Sequence, residues 1–371
     1  MNKNTLSIIA IVVVAIILVS AFVVLLWAPS GTPGQQSGTQ QIIDMTGRNV
    51  TVPNNVQKVI AVNPGALRLI TYMDASDLVC GVEEVESDPN GRPYAMAHPE
   101  YATLPVIGPQ FGGDPELIAA QAPDVVFTTD TVVSNLDALQ NQLGIPVVGI
   151  VYGGLDTPEL RQTFYDGLTL IGKVLHKESR ATEVINYVKG LIDDLEERTF
   201  DIPDADKLSV YVGGLSSRGN HGFTSTAAYY APFTLTNSKN VIIPAMAQNS
   251  TSVVNIDVEV LPGLNPQVIF VDYNGLSLCR EDVQKHAAVY GSLDAITNNC
   301  TYGVMGYNWY HLNFDVVLTD AYYVGKVLYP NQFADIDIAQ KANEIYEFLV
   351  GTPLYEQMVQ LYGPFDVVSL R

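Results

Sequence analysis

Few side chains in this chain are placed to do chemistry. His98, His221 and His311 fall in three separate segments that read as loops. Three imidazoles from different elements can hold a zinc or iron ion, so a directly bound metal is one reading of this set. Arg68, Arg92 and Arg218 stand in or beside loops of a chain with only 19 basic residues against 39 acidic ones. Cations that scarce, if they face a cleft, can receive anionic oxygens. Tyr152, Tyr273, Trp309 and Tyr310 could offer ring faces to a ligand and Asn308 an amide. Enzyme signatures are lacking. Gly167–Lys173 matches GxxxxGK, but Val174 replaces the required hydroxyl residue and the run lies inside a helical pattern rather than after a strand. Gly214-Leu215-Ser216-Ser217-Arg218 fails GxSxG at its last position, and there is no HExxH. An unrecognised hydrolase is therefore a distant alternative, no catalytic residue is assigned, and binding is the expected activity. Cys80, Cys279 and Cys300 show no CxxC spacing, which excludes a structural zinc cluster and permits at most one disulfide.

Strands and helices alternate along the body, and this alternation must position those side chains. Val59–Val62, Leu78–Val82, Val125–Thr128 and Val147–Val151 are short β-branched runs, with helical spacing in Leu67–Met73, Pro115–Gln121 and Leu136–Leu143 between them. Thr157-Pro158-Glu159 is a helix start, and the apolar positions from Leu160 to Leu195 fit one face of a long helix that Gly167, Gly172 and Lys177–Ser179 could kink or break. Beyond it Ser209–Val212, Val268–Asp272 and Gly303–Met305 read as strands, and Phe314–Leu328 and Ile338–Leu349 as helices. Ligands of such open parallel sheets bind beyond the carboxyl ends of the strands. The loops that should line a cleft are therefore 63–68, 83–101, 128–130, 152–154, 213–221, 272–274 and 307–311.

An internal echo links the two halves. At an offset of 143 residues, DPELIAAQAPDVVF (Asp114–Phe127) overlays DVEVLPGLNPQVIF (Asp257–Phe270), with Asp, Glu, Pro, Val and Phe coinciding at five positions. Each copy reads as an acidic helix start, a short helix, a Pro turn and a strand entering a parallel sheet. Glu116 and Glu259 occupy the same place in the two copies, which suggests one symmetric docking partner.

Composition and the amino-terminal segment set the compartment. A formal net charge of −20 repels nucleic acid. From Leu6 to Ala28, 23 residues carry no charge. At about 1.5 Å per residue a helix of that length crosses a bilayer core of about 30 Å. An uncleaved anchor is expected rather than a cleaved signal, because the run exceeds a usual signal core. Lys3 precedes it and the first charge after it is Asp44, so the body should lie outside. Residues 29–40 (PSGTPGQQSGTQ) lack aliphatic side chains and read as a flexible linker.

The ordered set NPGALRL after the first strand, DPELIAAQAPDVVF, a long connecting helix and VEVLPGLNPQVIF resembles the iron-siderophore and cobalamin class of ABC-transporter substrate-binding proteins, over roughly 42–365. The resemblance implies an α/β fold of two Rossmann-like lobes with central parallel sheets joined by a long helix, here preceded by an N-terminal transmembrane helix. Beside the transmembrane anchor or signal over 1–28 and the linker over 29–40 read from the residues, it implies lobes over 41–158 and 199–371 and the connecting helix over 159–198. It also implies a metal chelate (ferric siderophore, haem or cobalamin) held between the lobes, with no intrinsic cofactor and no directly bound metal. Ligand-binding residues would be Arg68, Arg92, Tyr152, Arg218, His221, Tyr273, Asn308, Trp309 and Tyr310, with the free metal ion bound by His98, His221 and His311 as the alternative. Partners would be an ABC permease and its ATPase, with Glu116 and Glu259 presented to permease arginines, and the body a monomer. The chain departs from the family in the retained anchor and in YVGGLSSRGNHG with FTSTAAYYAPF, so ligand identity does not transfer.

Overall fold

The computed structural model describes residues 38–371. The expected membrane anchor and nearly all of the linker lie outside the described residues; among the described residues no helix is long and apolar enough to cross a membrane. Two residues expected in the linker belong to the first strand. Thr39 and Gln40 already pair with Pro53 and Val52 in an antiparallel hairpin of β1 (Thr39–Ile43) and β2 (Asn49–Pro53). Backbone pairing needs no aliphatic side chain, so composition alone missed these residues.

The first lobe is built on β3 (Val59–Val62), β4 (Val79–Gly81), β5 (Val125–Thr128) and β6 (Val147–Gly149), all parallel, in the order β4-β3-β5-β6. The second contains β7 (Ser209–Gly213), the two-residue strands β8 (Ser225–Thr226), β9 (Lys239–Asn240) and β10 (Val254–Asn255), then β11 (Val268–Asp272) and β12 (Thr301–Val304). Its parallel sheet runs β12-β11-β7-β9, and β8 pairs with β10 apart from it. Numbering the strands of each parallel sheet in chain order gives 2-1-3-4 in both lobes, so the two sheets share one topology. The central strands β3, β5, β7 and β11 are buried along almost their whole length, as strands covered on both faces must be.

The sequence echo falls at the same place in both sheets. α1 (Ala66–Tyr72) follows β3, and α2 (Pro115–Ala120) leads into β5 as the short helix Val260–Leu264 leads into β11. Asp114 caps α2 by accepting from the amides of Glu116 and Leu117. Both copies then turn through a left-handed residue, Ala122 (φ 49) and Asn265 (φ 37), just before the shared Pro. Each echo thus ends in the third strand, beside the first strand, where the order reverses and a crevice opens.

The stretch predicted as one connecting helix is two. α3 (Val133–Leu143) precedes β6; α4 (Pro158–Leu175) then starts on a Thr157 cap and ends at His176, whose φ of 53 breaks the helical run before α5 (Glu178–Thr199). α5 ties the lobes: Arg180 donates from Nε to Tyr72 O of the first lobe and from Nη2 to Phe348 O of the second. α6 (Phe314–Leu328) is buried over most of its length, and α7 (Ile338–Val350) packs against α6 and α1. The principal core accordingly runs through both lobes without interruption.

Candidate functional site

The segment 307–313 leaves the carboxyl end of β12 and lies against the first lobe at the carboxyl ends of its strands. Two consecutive residues in it, Tyr310 (φ 50) and His311 (φ 73), take left-handed backbone that side chains other than Gly seldom adopt. Such conformations cost about 1–3 kcal/mol each and persist only where the surroundings hold them. The holding contacts come from the first lobe.

Arg68 supplies most of them. It sits early in α1, which starts directly after β3, and is fully buried. Its Nε donates to Asn313 Oδ1 (3.0 Å), Nη2 to the carbonyls of Trp309 (3.1 Å) and Tyr310 (3.3 Å), and Nη1 to Tyr152 Oη. Tyr94 and Tyr152 cover it with their rings. Neither of its sequence neighbours Asp74 and Asp77 pairs with it. Tyr152 Oη in turn donates to Leu312 O (2.8 Å), and its ring packs on His311 (4.1 Å between centroids) and Phe314. Burial pushes the Tyr152 phenol up to about 12 and the His311 imidazole down to about 4, so both are neutral at pH 7.

Tyr310 forms a second bridge. Its hydroxyl donates to Glu83 Oε2 (2.7 Å) and accepts from the Phe111 amide (3.0 Å). Glu83 lies just past β4 and also accepts from the Gly112 and Asn63 amides. Burial raises its pKa, and these hydrogen bonds pull in the opposite direction. Trp309 donates from Nε1 to Asn90 O (2.9 Å), and its ring lies 5.3 Å from the guanidinium of Arg92, which is fully buried. Asn308 donates to Ser216 O within the second lobe. Arg68, Arg92, Tyr152, Trp309 and Tyr310 therefore meet at one interlobe contact, while Asn308 stays within the second lobe.

Other residues on the expected list do not join them. Arg218 stands exposed on the 213–222 loop, and His221 bonds to Ser217 O of the same loop. Tyr273 turns toward the carboxyl-terminal segment and donates to Pro364 O, because residues 363–368 lie beside β12 and offer it an acceptor. His98 stacks on Tyr101 and bonds to Glu100, within the first lobe. The alternative of a free metal ion on His98, His221 and His311 fails on this placement. Among the described residues no group of three or more His, Cys, Asp or Glu side chains is placed to hold a metal. The three cysteines are free. Glu116 and Glu259 are both exposed, at the starts of the two equivalent short helices.

The sequence reading did not single out Glu83, Glu86, Tyr94 or Asn313. The available signal was position: Glu83 and Glu86 immediately follow a strand whose carboxyl end faces the crevice.

The family model described as periplasmic binding protein matches residues 59–304. The molybdate-binding protein MolA of Haemophilus influenzae is 21% identical over 324 residues, covering 82% of this chain and 89% of MolA. Its molybdate-bound crystal structure superposes with a TM-score of 0.65 at 20% identity, covering 85% of this chain and 98% of that one. A periplasmic solute binding protein from Veillonella parvula gives a TM-score of 0.69 at 18% identity (88% and 97% covered). The periplasmic heme binding protein HutB of Vibrio cholerae gives 0.54 at 18% identity (74% and 99%).

Proposed function

The chain belongs to the periplasmic binding protein family, and on that premise we propose that it is the extracytoplasmic substrate-binding component of an ABC importer, capturing a metal chelate between its lobes. The chelate is a ferric siderophore, haem or cobalamin. The observation that carries this reading is the interlobe contact itself. Two fully buried arginines, in a chain of net charge −20, lie at the carboxyl ends of the first lobe's strands under an aromatic loop from the second lobe. Anionic oxygens of a chelate suit the guanidinium groups, and a broad ring system suits Trp309, Tyr310 and Tyr152. The cargo's metal arrives and leaves within its ligand, so no protein cluster has to hold it. In this reading the segment 1–28 anchors the body to the outer face of the membrane, residues 41–158 and 199–371 act as the two lobes, and Glu116 and Glu259 dock onto permease arginines.

The test is calorimetric titration of the full chain in detergent with ferric siderophores, haem, cobalamin and molybdate, with free ferric and divalent ions as controls. Saturable binding of one of the three chelates and of none of the free ions is the expected result, and binding of molybdate alone would overturn the chelate reading. Binding of free ions alone, or turnover of any ligand, would sink the proposal.

A further inference from the structure

The two buried arginines of the interlobe contact differ in how their donors are used. Arg68 has all three nitrogens engaged, on four residues. Arg92 uses only Nη2, on the carbonyls of Val85 (2.7 Å) and Asp88. Its Nε and Nη1 are buried without a hydrogen-bond partner. A buried donor left unmade is costly, and natural structures retain few of them without a reason. The nearest carboxylate, Glu86, approaches Nη2 at 3.4 Å without making a hydrogen bond, and its Oε2 is itself without one. Glu86 is occupied on its other oxygen by Tyr94 Oη (2.7 Å).

What covers Arg92 is also particular. The Trp309 indole lies over the guanidinium, 42% exposed, and its side chain makes one hydrogen bond, to Asn90 O. The backbone of the same residue is fixed by Arg68 and Asn313. Rotation of the indole about its own side-chain bonds would break that one hydrogen bond and none of those that hold the backbone. A protein this acidic repels anions over most of its surface, so capturing one requires a concentrated positive site shielded from water.

We propose that Arg92 is an anion seat capped by Trp309, and that the captured substrate is an oxygen-bearing anion whose oxygens take the Nε and Nη1 hydrogens when the indole swings aside. This rests on the receptor reading above and narrows it: a neutral chelate does not satisfy Arg92. Arg68, with all three nitrogens already bonded, holds the lobes together and leaves the substrate to Arg92.

Calorimetry on the full chain compares an anionic ferric tris-catecholate and orthomolybdate with a neutral ferric tris-hydroxamate, while Trp309 emission is followed in a Trp27→Phe background. At least one anionic probe should bind, with affinity falling as salt rises and with a change in Trp309 emission. Arg92→Gln should weaken that binding about tenfold or more, the loss expected for charge-assisted hydrogen bonds. If Arg92→Gln does not fold, the emission change and salt dependence in the parent protein decide alone. Tight binding of the neutral chelate with unchanged emission would overturn the anion seat and leave the receptor reading standing. Failure of every metal-bearing probe to bind would overturn both.

Discussion

Replacing Arg68 by Leu separates a structural clamp from a ligand contact. The side chain is fully buried and spans the lobes through Asn313, Tyr152 and the carbonyls of Trp309 and Tyr310. A hydrogen bond from a charged donor contributes about 1.5–3 kcal/mol, but bonds that share one side chain do not add. Breaking such a buried network costs about 3–5 kcal/mol, and the apolar Leu returns only part of that. At about 2 °C of Tm per kcal/mol, toward the lower end for large domains, the full loss corresponds to about 6–10 °C, so with the part that Leu returns the melting temperature should fall by less than about 10 °C. Arg68→Lys keeps the charge but not the fork that reaches four acceptors at once, so it should recover little. The assay is urea and thermal unfolding followed by circular dichroism, and the core shared by both lobes leads us to expect one transition. A loss under about 1 kcal/mol together with abolished ligand binding would show that Arg68 serves the substrate and not the lobes.

Tyr310→Phe should cost about 1.5–3 kcal/mol, since Glu83 loses a hydroxyl donor and the Phe111 amide an acceptor; an unchanged urea midpoint would remove Tyr310 from the interlobe bridge. Gly91→Ala places a Cβ at φ +78 within 2.5 Å of Tyr362 Oη and 2.9 Å of Trp309 Cδ1, so a loss of about 1–3 kcal/mol and a shift in Trp309 emission are expected, and a silent substitution would contradict that packing. Burial pushes Asp272 up to about 7, above its unfolded value, so its contribution to stability is lost as pH rises through 7; unfolding should show stability rising from pH 8 to 6.5, and Asp272→Asn should flatten that slope. Below pH 6.5 the depressed His311, at about 4, pulls the other way because its imidazole takes up a proton more readily when unfolded. Reversing Glu116 and Glu259 to Lys together should abolish uptake in cells with ligand affinity intact, and loss of affinity instead would refute the docking role.

The architecture was legible where a local rule governs it. β3 and β5 have the bounds predicted from their β-branched runs, since strands covered on both faces must be apolar throughout. The echo at offset 143 was legible because both copies need a helix start, a left-handed turn and a Pro before the third strand of the same sheet order. The break at His176 was weaker in sequence: only two residues, His176 and Lys177, separate α4 from α5, and only His176 is left-handed.

The site was legible by address and not by partner. Loops after parallel strands face the crevice, which is enough to bring Arg68, Arg92, Tyr152 and the 308–310 run forward. What those residues do depends on contacts across very long stretches of chain. Arg68 and Asn313 are 245 residues apart, and Tyr310 and Glu83 are 227 apart. Periodicity cannot see such pairs. It also discounts a buried Glu, because carboxylates are rarely fully buried unless paired. Glu83 and Glu86 are the exceptions that matter, since each is buried beside a residue of the interlobe contact, one satisfied by three donors and the other left partly unmatched beside Arg92. The difference between a finished hydrogen-bond network at Glu83 and an unfinished one at Arg92 separates the part of this contact that joins the lobes from the part proposed to receive a substrate.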